Sequence, residues 1–373
     1  MVDNVTTSIS GNVTLDGKIL VNRIIEGLVL SVICVVALVA NISLWVVICR
    51  TRELKTEANY LILCLSAADV LVSLAMPITC YTIFRGDWVF SDDVCKLAGF
   101  INMVTFVASV MSLGAISINR YYKVCTGQRY KKIYTKRNVF LIILGIWLFS
   151  SALATPPLVG WGVYSYLPNQ SFCFSEWPAS ISYTFFMVGV CFGGPCSVMT
   201  VSYCLIFRKY RRSARTVLHS SALHSSAIPS NTTSNVNNIA INSVNVHHTV
   251  TKNVVAVKNR PLQIEKRRLE ELRLTTTLLV MILVFVLSWL PFCVAMFLSV
   301  FAKEYLPQAF DMFTLLLGYA NSCYNPFIYG IMNSRVKQGY KTQFTSLLVC
   351  CGLKKQGINL NESRSMTNSV PDN

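Results

Sequence analysis

Seven long apolar stretches constrain this chain more than any other feature of its sequence. They occupy residues 24–49, 59–84, 96–122, 138–160, 179–207, 272–301 and 307–331. A helix that crosses a bilayer needs about 20 mostly apolar residues, and each stretch meets that length. Because the hydrocarbon holds no water to satisfy backbone groups, helix is the conformation expected for all seven stretches. The predicted fold is an all-α integral membrane protein, a bundle of seven transmembrane helices.

Composition and charge agree with a bilayer environment. The chain is 53% hydrophobic and only 13% charged, which is too apolar for a soluble protein of 373 residues. The net charge of +16 does not predict nucleic-acid binding, because the basic residues lie between apolar stretches instead of on one continuous surface. They give the orientation, since Lys and Arg concentrate in cytoplasmic loops. With the N-terminus outside, the outer side carries only these basic residues: Lys18, Arg23, Arg85, Lys96 and Lys303. We therefore expect a multi-pass plasma-membrane protein with an extracellular N-terminus.

Three domains follow from this topology. Residues 1–23 form a polar extracellular segment, 24–331 the transmembrane domain, and 332–373 a short amphipathic cytoplasmic helix with a disordered tail. Residues 213–265 are rich in Ser, Asn, Val and His, and we expect a disordered third cytoplasmic loop there.

The topology also predicts several covalent modifications. Glycosylation acceptor patterns begin at Asn4, Asn12 and Asn169, all on the outer side. Cys95 and Cys173 are nearby outer cysteines in an oxidising location and are expected to form a disulfide. Two further cysteines follow a basic, aromatic stretch at the inner surface and are palmitoylation candidates, although two free cytosolic thiols are the alternative. They are Cys350 and Cys351.

Polar residues at bilayer depth are costly and few here. Asp69 lies mid-span in the second helix, with Ser109, Asn321 and Asn325 at comparable depth in the third and seventh helices. A carboxylate grouped with hydroxyl and amide oxygens suits a hard cation such as sodium. A hydrogen-bonded packing network is an equally good interpretation.

The inner ends of the third and sixth helices carry a candidate switch. Arg120, within Asn119-Arg120-Tyr121, closes the third span, and the two acidic residues Glu270 and Glu271 open the sixth on the same side. A charge-assisted pair between them would hold the two helices together, and its rupture would release one. Alternatively, Arg120 is one more basic residue on the inner side. Prolines that interrupt spans five to seven are further hinge candidates: Pro195, Pro291 and Pro326.

These marks together resemble the class A, rhodopsin-like family of G-protein-coupled receptors over residues 24–350. The matching elements are Asn41, Leu65-Ser66-Ala67-Ala68-Asp69, Asn119-Arg120-Tyr121, Trp147, Pro195 with Tyr203, Ser288-Trp289-Leu290-Pro291, and Asn325-Pro326-Phe327-Ile328-Tyr329. The resemblance implies binding of an extracellular ligand and coupling to a heterotrimeric G protein, with arrestin and receptor kinases as further partners and lipid as the surroundings. It also implies sodium at the Asp69 cluster. The residues whose movement would carry the signal are Pro195, Phe285 and Trp289, then Arg120, Tyr203 and Tyr329 at the inner face.

Local similarities narrow the ligand. The stretch from Ile118 to Cys125 is similar to melatonin receptors, and Pro156-Pro157-Leu158-Val159-Gly160-Trp161-Gly162 more weakly to opsins. Tyr319 stands where opsins carry the retinal-binding lysine, so no retinal is expected and a non-photopigment opsin relative is the alternative. Asn102 stands where amine receptors carry an aspartate, which disfavours a monoamine.

The resemblance implies an uncharged ligand pocket. Its expected lining is Asn102, Met103, Phe106, Tyr183, Met187, Trp289, Phe292, Cys293, Met296, Leu315 and Tyr319, although the methionines individually suit ordinary packing. Such a pocket favours a neutral, melatonin-like indole or lipophilic molecule. Glu176 in the outer loop leaves a short peptide open. Outside the receptor class, a channel or transporter lined by Asp69 is the alternative, whereas an enzyme is not expected, because the spans contain no His and no catalytic grouping.

Overall fold

The computed structural model describes residues 2–226 and 247–350; within them, the side chains of 2–16, 214, 216–226, 247–268, 347, 349 and 350 are not described. The helices are α1 (Val2–Arg50), α2 (Glu57–Arg85), α3 (Asp92–Tyr121), α4 (Gln128–Ile133), α5 (Lys136–Ala154), α6 (Ile181–Met187), α7 (Gly194–Ser226), α8 (His247–Phe301), α9 (Gln308–Met332) and α10 (Ser334–Cys350). One hairpin joins β1 (Tyr164–Leu167) to β2 (Phe172–Ser175).

Side-chain caps fix where several of these helices begin. The hydroxyl oxygens of Thr56, Ser91 and Thr135 accept hydrogen bonds from backbone N–H groups three residues on, at the starts of α2, α3 and α5. Each bond satisfies one of the N–H groups that a helix start leaves unpaired. Helix α5 ends at Ala154, six residues before the end of its apolar stretch at 160, because Pro156 and Pro157 cannot continue it.

The fifth span is irregular at its centre. It consists of α6, a π-helical segment at Val188–Gly193 and α7, and Pro195 is the second residue of α7. Proline has no N–H to donate and its ring crowds the preceding turn, so the hydrogen bonds before it widen locally. The α-helical geometry of the fifth span is therefore interrupted over residues 188–193, and Pro195 stays a predicted hinge.

Six described helical segments are long and apolar enough to span a membrane by length and composition: Gly17–Arg50, Glu57–Arg85, Asp92–Thr126, Lys136–Leu158, Ile181–Ser213 and Leu269–Phe301. Helix α9 is 25 residues long but carries Asn321, Ser322 and Asn325, which lower its hydropathy. It packs against α1, α2 and α8 and completes a bundle of seven transmembrane helices. The predicted fold class is confirmed.

Helix α3 is the centre of the bundle and contacts α2, α5, α7 and both hairpin strands. We call the end that carries the hairpin the outer end and the end that carries the basic loops the inner end. The hairpin lies across the outer end, pinned by the predicted Cys95–Cys173 disulfide, which the structure contains. All four residues of β2 are buried, so the hairpin covers the bundle as packed structure.

The prediction for the third inner loop differs from the structure at both ends of the loop. Disorder was expected over 213–265, but α7 continues to Ser226 and α8 begins at His247. The segment 262–271 is rich in Leu, Glu, Lys and Arg, strong helix formers that favour this extension of α8. Residues 227–246 and the predicted disordered tail from 351 lie outside the described residues.

Candidate functional site

A small cavity lies beneath the hairpin, between α2, α3, α8 and α9. Its volume is about 50 Å³. Its lining residues are Asp69, Val72, Asn102, Thr105, Phe106, Ser109, Phe172, Phe174, Trp289, Phe292, Leu315, Gly318, Tyr319, Asn321 and Ser322. Asp69 is the one charged residue among them, so the upper part of the cavity is uncharged.

Asn102 is the polar centre of this upper part. Its Nδ2 lies 3.5 Å from the backbone oxygen of Cys173 and its Oδ1 lies 3.5 Å from the Tyr319 hydroxyl. Both distances are at the long limit for hydrogen bonds, and a ligand that offers a better-placed donor or acceptor can replace either contact. Asn102 thus links the hairpin, α3 and α9 through exchangeable bonds.

An aromatic chain leads from the hairpin toward the middle of the bundle. Phe174 lies 6.1 Å from Phe292, Phe292 lies 5.6 Å from Trp289, and Trp289 lies 4.6 Å from Phe106, measured between ring centroids. Phe285, buried one turn below, lies 6.2 Å from Trp289. Because the Trp289 indole nitrogen is buried without a hydrogen-bond partner among the described residues, its rotation breaks no hydrogen bond.

Six of the eleven residues expected to line the ligand pocket do line this cavity: Asn102, Phe106, Trp289, Phe292, Leu315 and Tyr319. The other five lie elsewhere. Met103 and Met187 are buried in the core, Tyr183 donates its hydroxyl to the Leu153 oxygen, Cys293 is half-buried, and Met296 lines a separate outer cavity.

Two aromatic lining residues, which come from the hairpin, are not among those predicted from the sequence. Phe172 and Phe174 flank Cys173 on β2 and point their rings toward Tyr319 and Phe292. The signal available in the sequence was their position on either side of a cysteine expected to hold its loop over the bundle. Alternation along a strand then places both neighbours on the face opposite the disulfide.

The polar cluster predicted around Asp69 forms the bottom of the same cavity. Asn325 donates its Nδ2 to Asp69 at 3.0 Å, while Ser109 and Asn321 line the cavity with Asp69. The side-chain oxygen of Asn321 is buried without a hydrogen-bond partner in the described part of the chain. A free oxygen beside a buried carboxylate is a donor set that suits a small hard cation.

The neighbouring Asn41 belongs to the packing network. Its Nδ2 donates to the backbone oxygens of Ala37 and Ser322, both at 2.9 Å, and its Oδ1 accepts from Ser66 at 2.8 Å. These bonds join α1, α2 and α9 with every polar atom of the amide satisfied.

The inner ends of α3 and α8 are joined by the acidic residue that the sequence indicated. Arg120, almost fully buried, lies 3.8 Å from the Glu271 carboxylate, and Lys123 lies 3.2 Å from the other oxygen of that carboxylate. The Nε and Nη1 atoms of Arg120 are buried and have no hydrogen-bond partner among the described residues. The ion pair of Arg120 is therefore long and incompletely bonded. Asn119, which is buried, adds no charge beside it.

Further predicted switch residues lie at the inner end and along α7, α8 and α9. Tyr329 donates its hydroxyl to Asn59 at 2.6 Å, which holds α9 against α2. The buried hydroxyl of Tyr203 makes no hydrogen bond to any described residue. Arg120, Lys123, Glu271 and Tyr329 line an inner cavity of about 210 Å³. Pro326 lies within α9 and Pro291 within α8, while Tyr121 packs against Tyr122.

Several predicted modification sites have little or no structural description. The backbone at Asn4 and Asn12 is part of α1, but their side chains are outside the described set, as is that of Cys350. Cys351 lies outside the described residues altogether. Asn169 is exposed in the turn between β1 and β2.

Comparison with known proteins gives the same answer as this geometry. The family model described as "7 transmembrane receptor (rhodopsin family)" matches residues 40–329. The octopamine receptor beta-2R of Drosophila melanogaster is 26% identical over 345 residues, covering 88% of this chain and 61% of that receptor. The melatonin receptor type 1B-B of Danio rerio is 26% identical over 323 residues, covering 84% of this chain and 80% of that receptor.

Opsins are similar at lower identity. The Gq-coupled rhodopsin of Mizuhopecten yessoensis is 23% identical, covering 89% of this chain and 62% of that protein. The chain thus spans about three fifths of the length of the octopamine receptor and of this rhodopsin. The crystal structure of squid rhodopsin superimposes with a TM-score of 0.71 at 21% identity, covering 94% of this chain and 93% of that one, a likeness of fold alone.

The family match extends from the first helix to the last and includes the cavity, the Asp69 cluster and the inner ion pair. It places the chain among receptors, and not among enzymes, channels or transporters. The chain belongs to the rhodopsin family of seven-transmembrane receptors.

Proposed function

We propose that this chain is a plasma-membrane receptor that carries an extracellular signal to a heterotrimeric G protein, with its N-terminus outside. The single observation that supports this most is the pair between Arg120 and Glu271. It joins α3 to α8 across the inner cavity, where an outward movement of α8 would enlarge the space available to a partner. Because the pair is 3.8 Å long, it is weak enough to break by a modest displacement of α8. Arrestin and receptor kinases would act on the same inner face.

The first prediction tests this switch. Arg120→Ala removes the guanidinium that alternates between Glu271 and an incoming partner, so second-messenger output should fall at least tenfold, with surface expression largely unchanged. Cyclic AMP and calcium are measured in parallel in cells that express the full chain. Lys96→Ala, which removes an exposed basic residue at the outer end, is the matched control. Unchanged signalling in Arg120→Ala would overturn the proposed switch.

The ligand proposed for the cavity beneath the hairpin is a neutral, flat, lipophilic small molecule such as an indole. No carboxylate lies in the upper part of the cavity, and Asn102 with the Cys173 oxygen and the Tyr319 hydroxyl supplies neutral hydrogen bonds. Ligand pockets usually reach about 300–1,000 Å³, so binding must enlarge a cavity of about 50 Å³. Phe172 and Phe174 would move with the hairpin, and Trp289 would move with α8.

The second prediction tests the polar contact. Asn102→Leu keeps the number and branching of the side-chain heavy atoms but removes both hydrogen-bonding groups, and a neutral ligand should lose about tenfold in potency. Asn102→Asp provides the discriminating control, since it would raise potency for amines only if an amine binds here. The readout is the concentration dependence of second-messenger output over a panel of indoles and amines.

A short peptide is the second candidate, supported by a separate outer cavity of about 210 Å³. Glu176, Lys303 and Asp311 line it, so both signs of charge face the same space. Glu176→Gln should lower the potency of a peptide ligand. It should not lower the potency of a neutral molecule bound in the cavity beneath the hairpin.

Sodium is the ion proposed for the Asp69 cluster, because Asp69, Ser109, Asn321 and Asn325 offer carboxylate, hydroxyl and amide oxygens. A bound cation would favour the arrangement in which these four residues stay together.

The third prediction concerns this ion. At a sodium concentration ten times its dissociation constant, binding stabilises the purified chain by about 1.4 kcal/mol. The thermal unfolding midpoint should therefore rise when sodium replaces N-methylglucamine, and Asp69→Asn should remove that rise. Asp93→Asn, at the exposed start of α3, should keep it. An equal rise in Asp69→Asn would show that sodium acts elsewhere.

A further inference from the structure

A deep groove opens on the lipid-facing side of the bundle between α1, α9 and α10. Its volume is about 600 Å³. The wall formed by α1 and α9 is apolar apart from one hydroxyl, and basic side chains appear only at the inner end. The lining residues are Val35, Val36, Val39, Ala40, Ser43, Pro326, Phe327, Gly330, Ile331, Lys337, Tyr340 and Lys341.

Close packing of α10 fixes the inner end of this groove. A side-chain carbon added at Gly330 of α9 would lie 2.5 Å from the Tyr340 ring, and one added at Gly339 would collide with Val47 of α1. Helix α10 thus lies directly against both transmembrane helices, at two positions where only glycine allows the approach. Helix α10 therefore closes the inner end of the groove through tight packing.

Polar groups without partners among the described residues lie at this inner end of the groove. Lys337 and Lys341 are one helical turn apart on α10, both are exposed, and neither ammonium forms an ion pair with a described carboxylate. The Tyr340 hydroxyl oxygen between them in sequence is buried and makes no hydrogen bond to a described residue. Two cations without an ion-pair partner among the described residues thus border the inner end of an apolar groove.

A comparison with a second groove shows what the two lysines contribute. The cleft between α7 and α8 is larger, about 750 Å³, and equally apolar, but neither Lys nor Arg is among its lining residues. Hydrocarbon can occupy either groove, whereas only the groove between α1, α9 and α10 can select an anionic head group of these two.

We propose that this groove binds an anionic phospholipid of the inner leaflet. One acyl chain lies along α1 and α9, and the phosphate accepts hydrogen bonds from the ammonium groups of Lys337 and Lys341. Both parts match the chemistry of the occupant, because basic side chains at the membrane surface attract anionic lipid and apolar walls bury hydrocarbon. The bound lipid would join α10 to α9, the helix that carries Tyr329.

Native mass spectrometry of the purified full chain tests this proposal. The chain is presented in micelles with equal amounts of phosphatidylserine and phosphatidylcholine, and retained lipids are counted. We expect preferential retention of phosphatidylserine. The double variant K337Q/K341Q should bind it about 30-fold more weakly, the equivalent of roughly 1 kcal/mol for each lysine. The control K131Q/K132Q, which neutralises two exposed lysines of α4, should bind as the unmodified chain does.

A second variant tests the apolar part of the groove independently of the two lysines. Ser43→Trp fills the groove and leaves both lysines in place, and it should also lose preferential phosphatidylserine retention, with a thermal unfolding midpoint near that of the unmodified chain. Retention equal to that of the unmodified chain in both K337Q/K341Q and Ser43→Trp would overturn the proposal.

Three other outcomes would also overturn it. Equal losses in K337Q/K341Q and K131Q/K132Q would mean diffuse charge attraction. Phosphatidylserine retention that appears only after hydroxylamine removes thioester-linked chains would mean that the groove holds an acyl group attached to this protein. Retention that appears only when dimers dissociate would mean that a second copy covers the groove.

Discussion

The buried Asn119 determines how firmly Arg120 is held. Asn119 is an uncharged amide, so the one ion pair of Arg120 among the described residues is the long contact to Glu271. We infer that this contact holds α3 and α8 together only weakly, and we expect measurable signalling without ligand.

The fourth prediction follows at this residue. Asn119→Asp places a carboxylate beside the buried guanidinium, and a charge-assisted hydrogen bond there is worth roughly 1.5–3 kcal/mol. Ligand-independent output should fall at least about tenfold. Asn119→Ala removes the amide without adding charge and should not lower it. Cyclic AMP and calcium in unstimulated cells provide the measurement, and equal output from Asn119→Asp and the unmodified chain would contradict this account.

The lining of the cavity shows which contacts could be predicted from the spacing of residues along a helix and which could not. Asn102, Phe106 and Ser109 are spaced by four and three residues, so one face of α3 carries all three toward the cavity. Met103 follows Asn102 by one residue and is turned about 100° away, into the core. The residues Phe172 and Phe174 required the position of the hairpin, which depends on long-range packing and not on local pattern.

At the scale of elements, α8 is held by two separate ion pairs at its inner end. Besides the contact between Glu271 and Arg120, Glu270 pairs with Arg335 of α10 at 3.1 Å. The Glu270–Arg335 pair is about half exposed, and such pairs contribute up to about 1 kcal/mol. Movement of α8 therefore requires release from α10 as well as from α3.

The fifth prediction tests the link between α8 and α10. Glu270→Gln should raise ligand-independent output by up to about fivefold, because release from α10 favours the moved position of α8. Asp93→Asn breaks another exposed pair, with Lys96, at the outer end and is the control. A rise of the same size in both variants would indicate a general effect of surface charge.

Helix positions followed from the apolar stretches because burial in lipid requires both length and apolarity. Irregularities within helices were less accessible to the sequence. Pro195 indicated a break in the fifth span, but the π-helical form of Val188–Gly193 depends on how α3 packs against that span. The end of α5 at Ala154 was in principle readable from the two prolines that follow it.

At the scale of the whole molecule, the disulfide is the long-range connection that closes the outer end. Cys95 and Cys173 are 78 residues apart in sequence, and their bond holds β2 over the cavity. The sequence predicted this bond from topology alone, because only residues on the same side of the membrane can meet. The contact between the hairpin and α9, from Gln170 to Asp311, was not predictable in this way.

The sixth prediction follows from this connection. Cys95→Ala with Cys173→Ala should lower stability by about 2–4 kcal/mol, seen as a lower thermal unfolding midpoint and reduced surface expression. Cys49→Ala removes an exposed free cysteine and should change neither. Unaltered stability in the double variant would mean that hairpin packing alone holds the outer end.

The position of the cavity beneath the hairpin also bears on how fast a ligand would bind and dissociate. If the proposed ligand binds beneath Phe172 and Phe174, a shift of the disulfide-anchored hairpin would accompany its release, and dissociation would be limited by this movement as well as by the strength of the contacts. The same step would slow association, so the residence time would be long relative to the affinity. The proposed receptor would then average its stimulus over the lifetime of the closed hairpin and respond little to brief pulses of ligand.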